Sequence, residues 1–505
     1  MSSTRPNIII ITTDQQRTDS LSCYGSAFTS TPNLDRMAEG GVLLERAYCT
    51  NPVCTPSRVS IFTGQQVSRH GVWNVGMNAF EDTRMISHRL GDVGYRTHYI
   101  GKMHFQAFGG EKGQSVETMD GWEELYPEWA GPYYGFESIE IALGHTLYGI
   151  AGHFGSRVKE QVSAEEFESY PKACRQLSNG HFGGDGFEWD LPLQFHNSVW
   201  TADRTISFLE KHDRDQPFLL AIGFQDPHHP HAVPNEYEDR VSPQDVPLPD
   251  FDEGELDDKP PHFLEAHTGR LEDSEMRGDY YIAGQGAGSD FRKVNEQETR
   301  DGRACYHSMV RLIDREMGRI LDCLDRTGLD DNTLIFFTSD HGELLGDHGL
   351  WMKGPFHYEQ LIRVPMIVRW PEGIPGGRKE QGLFSLVDIV PTALTAAGLE
   401  LDESVDGVDS LPLLRGESKT RDDVLVECID DPNKLRLKTI VTENRKLTWY
   451  RGQSYGELYD LENDPREKVN HWNNPDYAAD KSDLLTRIPN HLESLEPRAE
   501  RYSYA

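Results

Sequence analysis

Three apolar runs set the strongest limit on what this chain can fold into: "NIIIITTDQQ" at 7–16, "PFLLAIGFQDPHHP" at 217–230 and "NTLIFFTSDHGE" at 332–343. None alternates apolar with polar residues, so none suits a strand with one wet face. Short runs rich in Ile, Leu and Phe fit strands buried on both faces of a parallel sheet. Amphipathic helical patterns precede two of them. In "SMVRLIDREMGRILDCLDR", Met309, Leu312, Ile313, Met317, Ile320, Leu321 and Leu324 share one face, and "TADRTISFLEKH" is a shorter case. Alternating helices and strands predict an α/β fold: a large, mostly parallel sheet flanked by helices on both faces. Each run ends in polar or acidic residues. In such sheets ligands gather outside the carboxyl ends of the strands, so these polar ends are expected to share one rim.

Beyond about residue 420 the pattern changes. "KTIVTENRKLTWYRG" and "GELYDLENDP" read as short antiparallel strands with turns. They predict a smaller C-terminal α+β subdomain over 421–505, following a main domain over 1–420. Two stretches read as long insertions: 105–190, with Trp122, Tyr126, Trp129, Tyr133 and Tyr134, and the acidic, proline-bearing 239–275. The aromatics of the first are suited to caging a quaternary ammonium or to stacking on an aryl or sugar ring.

The 505-residue chain carries 83 acidic against 50 basic side chains, a formal charge of -33. That field excludes general electrostatic binding to nucleic acid or an anionic membrane, and a small anionic substrate would need a local positive site. The opening "MSSTRPN" has no targeting pattern, and the apolar run behind it is too short to span a bilayer. Seven cysteines without regular spacing argue against a disulfide framework, so a cytoplasmic location is expected. The insertions and the tail "RAERYSYA" make a homo-oligomer the expected state.

The chemistry-bearing residues sit at the ends of the apolar runs. Taken singly, Asp14 suits a loop cap, Asp340-His341 a strand-end turn, and Cys54 a small buried hydrophobe. Together, two carboxylates at separate strand ends, each followed by a ligand-type side chain (Gln15, His341), make a divalent metal site. Oxygen ligands suit calcium, magnesium or manganese, and an imidazole leans towards a transition metal. Pro56 suits the first turn of a helix, with Cys54 just before it and Arg58 able to reach back. Unpaired N–H groups there favour an anion, or a thiolate acting as a nucleophile.

"CTPSR" at 54–58 resembles the signature of type I sulfatases of the alkaline phosphatase superfamily, in which Cys-x-Pro-Ser-Arg directs oxidation of the cysteine to formylglycine. The likeness extends through "PNIIIITTDQ", "TPNLDRMAEGGVLLERAYCTNPVCTPSRVSIFTGQ", "GYRTHYIGKMHF", "DPHHP", "TSDHGELLGDHGLWMKG" and "ELYDLENDPREKVN". The resemblance implies an alkaline phosphatase-like fold, one divalent ion (calcium or manganese) and maturation by a formylglycine-generating enzyme. It assigns the metal to Asp14, Gln15, Asp340, His341 and the formylglycine at Cys54, with one gem-diol hydroxyl as nucleophile. It has Arg58 stabilise that hydroxylate, and Lys102 and His104 bind the sulfuryl oxygens or the second hydroxyl. His228 and Lys353 fall at the ester oxygen, and His104 or a neighbouring base drives elimination of sulfate. Asn74 lies near a substrate-contacting asparagine of related enzymes, with Asn78 as its competitor. His229 and His231 read as loop residues.

The pairs Asp14-Gln15 and Asp340-His341 differ from the Asp-Asp and Asp-Asn of lysosomal arylsulfatases. They are similar to those of choline sulfatases and phosphonate monoester hydrolases. With two carboxylates facing Arg58, Lys102 and Lys353, the expected substrate is a singly charged tetrahedral ester. An aryl or alkyl sulfate is the first expectation, and a phosphonate monoester or phosphodiester is the alternative. A silent sulfate-binding member would lack the nucleophile, arginine or metal positions, and a plain cysteine hydrolase would leave the Asp14/Asp340 pair without a role.

Overall fold

All three apolar runs lie side by side in one sheet of eight strands. In chain order these are β1 (Asn7–Thr13), β2 (Val42–Leu44), β3 (Arg96–Gly101), β4 (Ser138–Leu143), β5 (Phe218–Gly223), β6 (Thr333–Ser339), β7 (Met366–Arg369) and β8 (Arg378–Glu380). Their spatial order is β8-β2-β7-β6-β1-β5-β3-β4. Only β7 runs against the rest, antiparallel to both β6 and β2. The computed structural model describes residues 5–126, 128–177, 186–269, 290–431, 434–488 and 500–502.

The isoleucines of β1 show why the run does not alternate. Ile8 and Ile10 belong to one apolar layer, Ile9 and Ile11 to the other, and all four are buried. The first layer holds α1 (Cys54–Thr63), with Val59, Ile61 and Phe62, and a later helix, Ile389–Ala396. The second holds α2 (Asn197–Lys211) and the long α3 (Glu296–Thr327), whose Val310, Ile313, Met317 and Ile320 lie against the sheet. Asn295 and Glu298 close a capping box at the start of α3, and Gly328 ends it in the left-handed region. Both predicted helices are present, on the same face.

The stretch 105–190 is more than an insertion. It supplies β4, the edge strand parallel to β3. Trp122, Tyr133 and Tyr134 are buried in the first apolar layer, and Tyr126 and Trp129 pack against it. Trp122, Tyr133 and Tyr134 are core, so the aromatic-cage expectation fails for these three. Residues 127, 178–185 and 270–275 of the two expected insertions, and most of the tail, lie outside the described residues.

At the C-terminal side, Val424–Asp431, Leu435–Val441, Arg445–Tyr450 and Gly456–Asp460 form an antiparallel meander. One face meets the helix Ala478–Arg487 through Leu425, Leu447 and Leu484. The other, with Leu437, Tyr450 and Tyr459, packs on Phe356, Tyr358 and Leu361 of the main sheet's loops. No helix among the described residues is long and apolar enough to cross a membrane.

Candidate active site

The carboxyl ends of β1, β5 and β6 deliver Asp14, Asp226 and Asp340 to one rim. Backbone bonds lock the three ends together, Asp14 N to Asp226 O (3.1 Å) and Asp340 N to Thr13 O (3.2 Å). The first residue of α1 points into the same rim. Helix α1 begins at Cys54 itself, with Val53 as its cap and Pro56 in its first turn; Cys54 is therefore the first helical residue and does not precede the helix. Ligand atoms of Asp14, Cys54, Asp340 and His341 all lie within 4.8 Å of one another, and all four residues are buried.

Cations surround this cluster. Arg58, one turn along α1, donates from Nε to Asp340 Oδ2 (2.7 Å) and from Nη2 to Asp14 Oδ2 (3.4 Å). Lys102 pairs directly with Asp14. Lys353 Nζ lies 2.8 Å from Cys54 Sγ, 3.0 Å from His228 Nε2 and 3.4 Å from His341 Nε2. Both lysines are buried. Glycines make the approach of Lys102 possible: a Cβ on Gly101 (φ +95°) would strike the Gly223 carbonyl, and one on Gly223 would strike that of Lys102. The freed Lys102 carbonyl accepts from Arg58 Nη1 (3.0 Å).

Protonation follows from this packing. Burial alone would raise the Asp14 carboxyl, but Lys102, Arg58, Lys353 and His341 hold it well below the usual carboxylate range. Burial and the Asp14 charge push the Cys54 thiol up to about 11, against the pull of Lys353 and Lys102. Burial also lowers His341, to about 4, with Lys353 adding to the effect, so the imidazole is neutral. His341 Nδ1 donates to the Gly342 carbonyl (2.8 Å), which leaves Nε2 with its lone pair towards the cluster. Gln15, held at φ 68°, donates from Nε2 to Glu343, while its buried Oε1 has no hydrogen-bond partner among the described residues. Two carboxylates, a neutral imidazole lone pair and an unpartnered amide oxygen suit a divalent cation.

On the far side of Lys102 is a group of imidazoles. His145, at the end of β4, lies 2.6 Å by Nδ1 from Lys102 Nζ and stacks on His228 with centroids 3.8 Å apart. Burial drives His145 and His228 well below the ordinary histidine range, with Lys102 adding to the shift of His145 and the neighbouring His145 and Lys353 to that of His228. His104 adopts φ 58°, stacks on Phe108 at 3.9 Å and meets His145 edge-on at 5.8 Å. His145 does not stand out in the sequence. Its only sign is that "SIEIALGH", like the longer runs, ends at a polar residue.

Asn74 is buried beside the C-terminal sheet. Its Nδ2 donates to the carbonyls of Ile429 and Asp430 (3.4 and 3.5 Å), tying the loop to the C-terminal sheet. Asn78 accepts from Ala107 N and donates to Gln114 O, bracing the loop behind His104. His231 opens a short buried strand, His231–Pro234, and is not in a loop.

Comparison with known proteins accords with this arrangement. Residues 6–399 match the sulfatase family model, and 346–494 match the model described as N-sulphoglucosamine sulphohydrolase, C-terminal. An arylsulfatase of Clostridium perfringens is 30 % identical over 99 % of this chain and 96 % of its own length. A choline-sulfatase of Rhizobium meliloti is 26 % identical over 96 % of this chain and 86 % of its own. The crystal structure of the phosphonate monoester hydrolase of Agrobacterium radiobacter superposes with a TM-score of 0.77 at 25 % identity, covering 97 % of each chain. The fold is that of the alkaline phosphatase superfamily. Within it, this chain belongs to the sulfatase family and is a hydrolase.

Proposed function

We propose that the protein hydrolyses aryl or alkyl sulfate monoesters, using a formylglycine made from Cys54 and one divalent ion held by Asp14, Gln15, Asp340 and His341. The observation that carries this reading is the setting of Cys54: the first residue of a helix, beside two carboxylates, with Lys353 Nζ 2.8 Å from its sulfur. A thiol pushed up to about 11 is a poor nucleophile at neutral pH, which disfavours a plain cysteine hydrolase.

A bound divalent ion supplies Lewis-acid activation of an oxygen placed on it, calcium and manganese being the candidates and His341 favouring manganese. The hydrated aldehyde supplies one hydroxyl to attack sulfur and a second whose proton, once removed, lets sulfate depart. The remaining roles belong to this chain's side chains. Arg58, Lys102 and Lys353 offset Asp14 and Asp340 and leave the site suited to an ester with one negative charge. His228 Nδ1 donates to the His229 carbonyl, so its Nε2 accepts from Lys353. Lys353 thus holds the transferable proton and His228 orients it towards the leaving oxygen. His104 is buried and neutral, held well below its ordinary pKa by burial and by Lys102, and is available as a base.

The same charge balance suits phosphonate monoesters and phosphodiesters, and the likeness to the Agrobacterium hydrolase supports this as a second activity. The test compares sulfate, phosphonate monoester and phosphodiester derivatives of one phenol, with mass spectrometry of the peptide bearing Cys54. Turnover by protein whose Cys54 is wholly an unmodified thiol would overturn the formylglycine reading. A larger kcat/KM for the phosphorus esters would reverse the order of substrates.

A further inference from the structure

His104 leaves the end of β3 in a conformation that non-glycine residues avoid, with both ring nitrogens unpartnered among the described residues. Something must hold it there. The backbone N–H groups of His104, Phe105 and Gln106 all converge on one side chain, Glu117. His104 N donates to Oε2 (2.7 Å), and Phe105 N and Gln106 N donate to Oε1 (2.9 and 3.1 Å). Tyr133 Oη adds a fourth donor to Oε1 at 3.0 Å. Glu117 is wholly buried.

We propose that Glu117 is a positioning residue for the reaction: its carboxylate gathers the 104–106 backbone and so sets the His104 imidazole flat on Phe108, facing the Cys54 site. The inference deepens the reading above, in which His104 acts on the group at residue 54.

Three features support it. First, the donors outnumber what any neutral isostere can satisfy. Burial pushes the Glu117 carboxyl up to about 7 against the pull of these donors; in its ionised form it only accepts and serves all four N–H and O–H groups, whereas the amide of Gln would turn an N–H against at least one of them. Second, the surrounding contacts serve the same loop. Gln106 Oε1 accepts from Val116 N (2.8 Å) and Ser115 Oγ (3.2 Å), and Asn78 Oδ1 accepts from Ala107 N (2.9 Å). Side chains thus replace the sheet ladder that ends at Gly101. Third, the charges that act on the His104 ring are those of the site, Lys102, Asp14, Arg58 and Lys353. The loop is braced on one side by Glu117 and open to the reaction on the other.

The experiment uses the full-length, matured protein and has a structural and a kinetic arm. Crystal structures of Glu117→Gln and Glu117→Asp should show His104 rotated off Phe108 and residues 104–106 displaced, with the metal ligands unmoved. Kinetically, Glu117→Gln should lose about 10²-fold in kcat, the scale of an ångström-sized misplacement, with KM changed much less. Glu117→Asp, which keeps the charge, should recover part of the loss, and Tyr133→Phe, which removes only the outermost donor, should lose less. Should Glu117→Gln fail to fold, Glu117→Asp and Tyr133→Phe carry both arms. His104 unmoved in the variant structures, or a displaced His104 with kcat unchanged, overturns the proposal. Should the wild type prove inactive on every ester, the function is wrong, and the structural arm still decides whether Glu117 holds His104.

Discussion

Replacing Lys353 by Met removes one buried ammonium and keeps an unbranched stem of similar length. In the wild type that ammonium touches Cys54 Sγ, His228 Nε2 and His341 Nε2 at 2.8, 3.0 and 3.4 Å. After substitution, His228 keeps Nδ1 on the His229 carbonyl and presents a bare Nε2 to the leaving oxygen, so the site lacks its proton. General acid help is worth about 10²–10⁴-fold, or about 3–5 kcal/mol of barrier. Lys102 and Arg58 still face Asp14, and two of three cations remain to receive an anionic ester. KM should therefore rise less than kcat falls. The loss should follow leaving-group basicity, near the upper figure for alkyl sulfates and near tenfold for phenols as acidic as nitrophenol. The assay is kcat and KM over a series of sulfates of graded leaving-group pKa, with melting temperature and metal content as checks. A uniform loss across the series would refute the proton-donor role and leave Lys353 as a binding cation only.

Four further outcomes follow from the site and its surroundings. Asp14→Asn and Asp340→Asn should each lose bound metal and activity together, and undiminished metal by elemental analysis in both would show that the ion sits elsewhere. Cys54→Ala should abolish turnover while metal persists through the remaining ligands. His145→Ala removes the partner of Lys102 and the ring stacked on His228, so kcat should fall by about 10–10²-fold with partial rescue by His145→Gln; an unchanged kcat would make His145 simple packing. Burial works against Glu255, but His348 and Lys468 hold it down at about 2, from an ordinary 4.5. A depressed carboxyl stabilises the fold above its unfolded pKa, so stability should be lost as pH falls from about 4.5 to 2, by about 1 kcal/mol once solvent screening of the pair is allowed for. Glu255→Gln should flatten that part of a urea-denaturation pH series.

What could be read from the sequence was whatever packs locally or sits on a strand buried on both faces. Strands β1, β5 and β6 announce themselves because each has an unbroken apolar centre, and their acidic ends mark the rim. β4 does not, because Glu140 interrupts "SIEIAL" to pair with Arg204 of α2 at the sheet edge. That one charge hid the strand, and with it His145 and the core role of the neighbouring aromatics. β2, β7 and β8 are three or four residues long, and β2 finds its partners in β7 and β8 more than three hundred positions away. Cys54, Arg58, Lys102, His228, Lys353 and the Asp14/Asp340 pairs were found by motif and converge in space. Asn74 was a matter of register in a loop, and its amide nitrogen bonds to carbonyls of the C-terminal sheet.

The seclusion of residue 54 has a bearing on how the protein comes to be active. Its side chain is 1 % exposed, roofed by Lys353 and floored by two strand ends. Under the proposed function, an enzyme that oxidises this sulfur would not reach it once β1, β6 and α1 have come together. On that reading maturation and folding would compete for the same segment. A helix that closes early would seal in an unconverted thiol for the lifetime of the molecule. The active fraction of a preparation would in that sense record a race, and variants that speed docking of α1 should yield protein that is equally stable and less often alive.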